Sequence, residues 1–463
     1  MSLQELSLRQ IAQNFRTGDL TAVSVMALCQ QFYEETEQNL NAYKTWSGES
    51  AMRVAESVDA MLAAGCDLGP LMGVPVSVKD LFAVPNMPTY AGSSRELGKE
   101  WQVPGLLIQS LLRQLAPITG KTHTVEFAFG GIGMNEHWGT PRNTWDVKEH
   151  RIPGGSSSGA GVSLCQGSAL LALGTDTAGS VRIPASLTGT VGLKTTIGLW
   201  PRDHVVPLSK TLDTPGLLAR SVEDVAFGFV AIEKMLRNQP VELSKTYSLK
   251  GLRVGIPEHF FWNDIQPDIA DVVDRAMRQL EKDGAVLIPI TIPNCDEVYK
   301  VFQAGGLGAP ELSSFLQQEL PESLESLGSL VKVRVEGAES LSALEYLERK
   351  ALIEHAAVGV QTLFEEVDVW FNPTLVSTAP CVGDLKSIDA YKQANMLALR
   401  NTSIANLMNL SAITLPVGLD NIGIPVGIQL TSAAMQERRL LSIALRVEEL
   451  FGKPIEVLGS LPR

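Results

Sequence analysis

Apolar side chains recur at helical spacing over 7–15 (Leu8, Ile11, Ala12, Phe15) and over 22–40 (Val25, Leu28, Cys29, Phe32), a pattern that turns one stripe of a helix toward a core. Thr21 stands where a cap for the second helix belongs. The same stripe recurs over 50–64, closed by Gly65. The period then changes to two: Val74, Val76 and Val78 alternate with Pro75, Ser77 and Lys79, a strand whose end carries Lys79 and Asp80. A helix is expected over 102–115 and a short strand over 117–121. Further strands are expected over 190–194 and 197–199, a loop over 201–216, and a helix over 221–236. Strand 253–256, helix 265–283 and strand 286–292 form an order compatible with a parallel pair. Segment 296–360 is mostly helical, looser in composition, and expected to cover or flank a site. A strand over 368–373, a helix over 390–407, a hairpin-like pair within 412–430 and a helix over 436–451 complete the pattern. No repeat, low-complexity tract or linker divides it, so 1–463 reads as one large α/β domain in which 296–360 is an embedded, mostly helical variable region.

One stretch departs from these periods. From Arg151 to Ala185, Gly/Ser clusters at 154–161 and 177–180 bracket a run of small apolar residues. Glycine permits close backbone approach, and successive amides in a turn make an anion-binding concavity. Tight turns around a buried helix or strand would use the same residues. A serine nucleophile needs a base within hydrogen-bond reach, and two arrangements offer one. In the first, Gly155-Ser156-Ser157-Ser158-Gly159 is an elbow with Ser157 as nucleophile and His204 or His355 as partner, although R-I-P-G replaces the hydrophobic strand such an elbow follows. In the second, Ser180 closes T-A-G-S, the amides of Thr177, Ala178, Gly179 and Ser180 face an oxyanion, and Lys79 is the base. Burial would have to lower that lysine from about 10.4 by roughly 2–3 pH units.

Other candidates fall away. Gly120-Lys121-Thr122-His123 lacks the earlier P-loop glycine, since Leu115 stands there, and Gly159-Ala160-Gly161 meets Leu164 where a dinucleotide fingerprint needs glycine. His123 and His137 have no acidic partner at ligand spacing and read as packing or surface residues. Segment 126–145, rich in Gly, Asn and aromatics, reads as an irregular loop lining a site. Its neutral, aromatic character favours an uncharged acyl group. With 38 basic and 51 acidic side chains the net charge is -13, and no Lys/Arg cluster is long enough to track a nucleic acid backbone. Five cysteines without a C-x-x-C pair fit a reducing compartment and provide no thiolate zinc site. No run reaches the roughly 18 apolar residues of a membrane span, and the first ten residues lack a signal-like apolar region. A cytoplasmic protein without metal or cofactor is the expectation.

The combined motifs bring a resemblance into view. G-V-P-V-S-V-K-D at 73–80, G-G-S-S at 154–157 and G-T-D-T-A-G-S-V-R-I-P-A at 174–185 stand in the order and spacing of the amidase signature family, and G-T-P-R-N, V-G-L-K, A-R-S-V-E-D and I-P-V-G-I-Q-L extend the likeness over the chain. The resemblance implies an α/β amidase-signature fold, a large mixed twisted β-sheet covered by helices on both faces. It implies Ser180 as nucleophile, Ser156 as a bridging serine on a cis peptide, Lys79 as base, and Ser157, Asp176 and Arg182 as supporting residues. The implied reaction cleaves a small-molecule amide to an acid plus ammonia or an amine through an acyl-enzyme. It needs no cofactor and no direct nucleic-acid contact, and a homodimer is compatible with it. Ala178, Ser158, His123 and Thr195 replace the family's more frequent Gly, Gly, Asn and Pro, and none of these removes a catalytic group. Alternatives within the resemblance are the glutamine-hydrolysing subunit of an aminoacyl-tRNA amidotransferase, which usually carries R-Q-P-A where this chain has Arg182-Ile183-Pro184-Ala185, and a hydrolase of urea-derived amides, in which the alanine variant occurs. A non-catalytic binding protein on the same fold is a further alternative. No Arg or Asp is assignable from sequence to a pocket for a charged substrate end.

Overall fold

A computed structural model describes residues 5–244 and 247–462; the start of the N-terminal segment, 1–4, lies outside the described residues. Eleven strands form one sheet: β1 Tyr43–Trp46, β2 Val76–Lys79, β3 Ile118–Thr122, β4 Leu171–Asp176, β5 Val191–Lys194, β6 Thr214–Ala219, β7 Arg253–Pro257, β8 Val286–Ile290, β9 Val369–Pro373, β10 Ser411–Leu419 and β11 Pro425–Ser432. Their order is β1-β3-β2-β4-β6-β5-β10-β11-β9-β7-β8. β2 runs parallel to β3 and β4, β7 runs parallel to β8 and β9, and the other pairings are antiparallel, with β10 and β11 a hairpin. The sheet is therefore mixed, as the resemblance implies. The strand–helix–strand reading of 253–292 is realised as the parallel pair β7 and β8 flanking helix Pro267–Lys282.

Both faces of the central strands are covered, and the two faces differ in side-chain size. Leu171 and Leu173 of β4 and Leu217 and Ala219 of β6 join a large aliphatic core with the helices Leu8–Thr17, Ala22–Leu40 and Val222–Arg237. Ala172 and Leu218 point the other way, against Ala160, Leu164, Val181 and Ala185. Small residues let helices Ser158–Gln166 and Arg182–Thr188 sit close to the sheet on that side. A Cβ added at Gly192 would lie 2.7 Å from Ala185 Cβ, and one at Gly161 would lie 2.3 Å from Thr188 Oγ1. The loops that precede these two helices are thereby held against the ends of β2 and β4.

The structure departs from the sequence expectations at several elements. Residues 197–199 are a turn, and β6 begins at Thr214, inside the expected loop. β1 lies outside every strand expected from sequence, and the run before the second Gly/Ser cluster, open to either helix or strand, contains β4. β4 is buried at every position and shows no alternation, and β1 has only four residues, mostly half-buried. The 102–115 helix is shorter, Leu106–Leu112, preceded by a 3₁₀ turn over Lys99–Gln102. Segment 296–360 resolves into helices, among them Gly308–Glu319, Ser329–Glu336 and Ala343–Gly359. Phe315, Val331 and Val335 of this region pack on Leu81, Phe127 and Phe129 near the ends of β2 and β3. Among the described residues no helix is long and apolar enough to cross a membrane.

Arg182, fully buried, fastens three elements at one point. It donates to Asp176 Oδ1 and Oδ2 at the end of β4 (2.9 and 3.1 Å). It also donates to Thr402 O and Asn406 Oδ1 of helix Ile388–Leu407 (2.8 and 2.6 Å) and to Gln429 Oε1 of β11 (2.5 Å). Removing one partner of a buried pair leaves an uncompensated charge. Arg182→Met is therefore expected to lower unfolding stability by about 3–5 kcal/mol in urea titrations, with Arg182→Lys recovering only part because it lacks the planar fork. A loss of less than about 1 kcal/mol for Arg182→Met, the range of an exposed pair, would refute this role.

Candidate active site

Lys79 ends β2 with its side chain wholly buried. β4 lies beside it in parallel register, so Thr175, next to the end of β4, reaches the ammonium: Lys79 Nζ is 2.8 Å from Thr175 Oγ1 and 2.7 Å from Ser156 Oγ. Burial pushes the lysine down to about 7, against the pull of Asp213 and Asp176, which favour its charged form. Its neighbours are hydroxyls rather than a carboxylate, which leaves that downward shift largely unopposed.

Ser156 is held by its backbone. The Gly155–Ser156 peptide is cis. Gly155 N–H donates to Gly131 O (2.8 Å), and Ser156 O accepts from Val125 N and Ser158 N (3.1 and 2.8 Å). Ser157 N–H donates to Ser180 O at 3.2 Å, joining the two Gly/Ser clusters directly. Lys79, Ser156, Ser157 and Ser180 are thus brought to one place, all buried, with Ser180 retaining 3% exposure. Ser157 Oγ donates to Thr175 O (3.3 Å), while His204 and His355, the partners an elbow at Ser157 would need, lie exposed on the surface.

The loop carrying Ser180 is shaped by Asp176. Its Oδ1 accepts from Gly179 N (2.7 Å) and its Oδ2 from Val181 N (3.1 Å), besides the two bonds from Arg182. Burial alone would raise this carboxyl; the Arg182 charge and hydrogen bonds, with Lys194 behind them, hold it down at about 2. The Gly179 amide is therefore engaged inside the protein. The amides of Thr177, Ala178 and Ser180 make no hydrogen bond to another described residue. Three of the four amides expected to face an oxyanion are free to do so. Gly179, at φ +136, packs so tightly on Thr402 that a Cβ would sit 2.1 Å from Thr402 Oγ1.

Several contributors were not singled out from sequence. Thr175 belongs to a quoted motif, yet nothing in the motif says that its hydroxyl meets Lys79. Asp213 accepts from Thr177 Oγ1 (2.6 Å) and from Leu208 N and Ser209 N (2.9 and 3.0 Å); burial pushes it up to about 6 despite these bonds. Thr402 Oγ1 donates to Ala178 O (2.6 Å), and Asn406 Nδ2 to Asp176 O (3.0 Å). These partners lie far away in sequence and carry no local signal. A cavity of about 370 Å³ opens beside the site, with Thr175, Asp213 and Thr214 on one side and Trp101, Arg202 and Phe315 among its other walls.

The histidines divide. His123 is buried, bonded to Asn41 Oδ1 (3.1 Å), and held neutral by burial, which lowers it to about 3. Its packing role is as expected. His137 does have an acidic partner, Glu126 Oε1 at 2.9 Å, which spacing along the chain did not suggest because the irregular loop folds back on itself. Among the described residues no cluster of three or more His, Cys, Asp or Glu side chains could hold a metal ion.

The profile of the family named Amidase matches residues 24–441. The chain is 50% identical over 460 residues to a 2-amino-5-chloromuconic acid deaminase of Comamonas testosteroni, covering 99% of both proteins. It is 32% identical to an amidase of Pseudomonas putida, covering 97% of this chain and 96% of that one. A crystal structure of an amidase superposes with a TM-score of 0.86 at 26% identity, over 96% of this chain and 100% of the other. The chain belongs to the amidase family and is an enzyme acting on C–N bonds.

Proposed function

We propose that the protein hydrolyses the C–N bond of a small-molecule substrate with Ser180 as nucleophile, Ser156 as proton relay and Lys79 as base. The observation that carries this reading is the 2.7 Å contact between Lys79 Nζ and Ser156 Oγ inside a site that holds the lysine near 7. A neutral Lys79 takes the Ser156 proton as Ser156 takes that of Ser180, and Ser180 Oγ forms a bond to the carbonyl carbon. The charge that develops on oxygen faces the amides of Thr177, Ala178 and Ser180. As the C–N bond breaks, the proton returns through Ser156 to the departing nitrogen, leaving an acyl group on Ser180. Water, deprotonated by the same relay, then releases the acid and frees the serine. Asp176, Arg182 and Ser157 hold the two loops in register.

The 50% identical relative is named for deaminating 2-amino-5-chloromuconic acid, which makes ammonia from an amino-substituted unsaturated acid the product to test beside ammonia from carboxylic amides. Both reactions need a nucleophile and a proton for the leaving nitrogen. The five free cysteines support a reducing, cytoplasmic setting.

Ammonia release measured across aliphatic, aryl, dicarboxylic-monoamide and amino-dienoic acid substrates should fall by roughly 10⁴–10⁶ in Ser180→Ala. Activity unchanged in that variant sinks the assignment. The pH profile provides a separate test. A lysine lowered to about 7 is the active, neutral base above that pH and becomes an inactive ammonium below it. With a substrate that does not itself titrate, log kcat/KM should rise with unit slope up to about pH 7 and then level. Lys79→Met should lose about 10²–10⁴ in rate together with this limb. A wild-type limb that persists unchanged in Lys79→Met would assign it to another group.

A further inference from the structure

The cavity beside the site has a polar end and an apolar body. Thr175 and Thr214 are buried in its wall, where Asp213 retains 9% exposure. The body is lined by Val205 and Pro207 of the segment before β6, by Phe315 of helix Gly308–Glu319, and by Trp101, whose ring meets Phe315 edge-on with centroids 6.1 Å apart at 85°. These walls are braced. Glu311, on the same helix as Phe315, accepts from Ser209 Oγ and Thr211 N of the facing segment (2.7 and 3.0 Å) and from Tyr346 Oη (2.8 Å). Behind it, Gly328 N–H donates to Glu126 Oε2 and Leu330 N–H to Glu136 Oε2 (both 2.9 Å), while Arg334 donates to Phe129 O (2.8 Å). Of the cavity's charged groups, Arg202 uses Nη1 on the carbonyls of Lys210 and Asp213 (2.9 and 3.1 Å), and Lys210 and Glu319, opposite in sign, are exposed.

The cavity meets the site on the side of the relay. Lys79 Nζ joins Ser156 Oγ (2.7 Å) to Thr175 Oγ1 (2.8 Å), and Thr175 belongs to the cavity wall. Asp213, in the same wall, accepts from Thr177 Oγ1 at the start of the Ser180 loop (2.6 Å). In the reaction proposed above Ser156 protonates the departing nitrogen, so whatever that nitrogen carries lies toward Lys79 and Thr175. The other side of the loop is occupied differently. Ala178, half-buried, packs with Ile132, Leu375 and Leu399, and none of these four lines the cavity. The acyl group and the amine therefore have separate surroundings.

We propose that this cavity receives the amine part of the substrate, so that the enzyme cleaves secondary amides of monocyclic aromatic amines as well as releasing ammonia. The inference rests on the C–N hydrolysis proposed above. A volume of about 370 Å³ lies within the range of small-ligand pockets, about 300–1,000 Å³, and ammonia would leave it almost empty. The edge-on Trp101–Phe315 corner suits an aromatic ring. An ionised carboxylate offers about four acceptor sites, and Asp213 uses three of them on Thr177, Leu208 and Ser209, which leaves room for an amine N–H. Ser180 Oγ bonds to the carbonyl carbon, the C–N bond breaks, and the proton from Ser156 completes the neutral amine; water then splits the ester into acid and free serine.

The test takes the primary amide hydrolysed best among the substrates above and compares it with its N-methyl and N-benzyl derivatives, reading release of the common acid in wild type, Val205→Trp and Trp101→Ala. Methylamine and benzylamine are similar leaving groups, so their comparison isolates the ring. Wild type should favour the N-benzyl over the N-methyl amide by roughly 10- to 100-fold in kcat/KM, chiefly through KM. Val205→Trp, which fills the cavity, should lower the ratio of N-benzyl to primary amide at least tenfold, and Trp101→Ala should lower it less. Benzylamine added during hydrolysis of the primary amide should divert the acyl-enzyme to the N-benzyl amide with saturation, a measurement that needs no variant to fold. Acid release from the primary amide with none from the N-benzyl amide would overturn the proposal. So would equal losses on both substrates in Val205→Trp, or diversion strictly proportional to benzylamine. Hydrolysis of no C–N substrate by wild type would instead bring down the parent reading.

Discussion

The Asp176 carboxylate accepts four hydrogen bonds at the point where β4 ends, from the amides of Gly179 and Val181 and from two nitrogens of Arg182. Two of these bonds curl the chain around the carboxylate, so Ser180, between the two donors, has its place set by a charge rather than by a ladder. The other two lead through Arg182 to helix Ile388–Leu407 and to β11, so the position of the Ser180 loop depends on elements more than 200 residues away. Every oxygen and nitrogen involved is buried, and such a network tolerates no half-satisfied member. Its deep ionisation, near 2, keeps it intact across the range in which Lys79 titrates.

The sheet buries other lysines in the same region, and comparison of their partners separates chemistry from architecture. Lys121 lies 3.0 Å from Asp80 and donates to Thr89 Oγ1, a paired cation with no proton to offer elsewhere. Lys194 is pushed down to about 7, chiefly by burial and then by Arg182, as far as Lys79 is. It donates to the carbonyls of Thr195 and Leu410, which cannot pass a proton on. Lys79 alone of these three contacts hydroxyls without a carboxylate partner, one of them on a residue whose neighbour is bonded to Ser180 O. A lowered lysine is thus insufficient to mark a base in this protein. On the proposed reading, the acceptor at the end of its side chain decides.

Much of the fold was legible as periodicity, and the failures have a common cause. The helix at 22–40 was readable because one face meets solvent, and the strand ending at Lys79, although buried throughout, because its valines occupy every second position. β4 and β6 are buried on both faces, so their sequences carry no alternation, and their glycines and small residues resemble turn signals. Lys79, Ser156 and Ser180 could be named as candidates because they lie within short motifs, and the structure brings them to one place. Asp213, Thr402 and Asn406 were not, since each reaches the Ser180 loop only after the chain has closed. The engaged amide of Gly179 was equally invisible: T-A-G-S offers four N–H groups, and only the fold shows which one Asp176 takes.

The proposed reacting groups and the groups around them differ in how they are attached. Lys79 ends β2 and Ser180 stands in the loop between β4 and helix Arg182–Thr188, where repacking would disturb the aliphatic core and the small-residue layer together. The walls near Phe129 come instead from helices over 308–336, held by an apolar patch and by the Glu126 and Glu136 clamps on the turn that opens helix Ser329–Glu336. Side chains on such a helix can change without moving Lys79, Ser156 or Ser180, because no strand of the sheet depends on them. A site built this way can keep its strand-borne groups in place while exchanging the walls around them. Arg334 joins the two layers: its backbone belongs to the outer helix, and its guanidinium contacts the loop that backs Gly155.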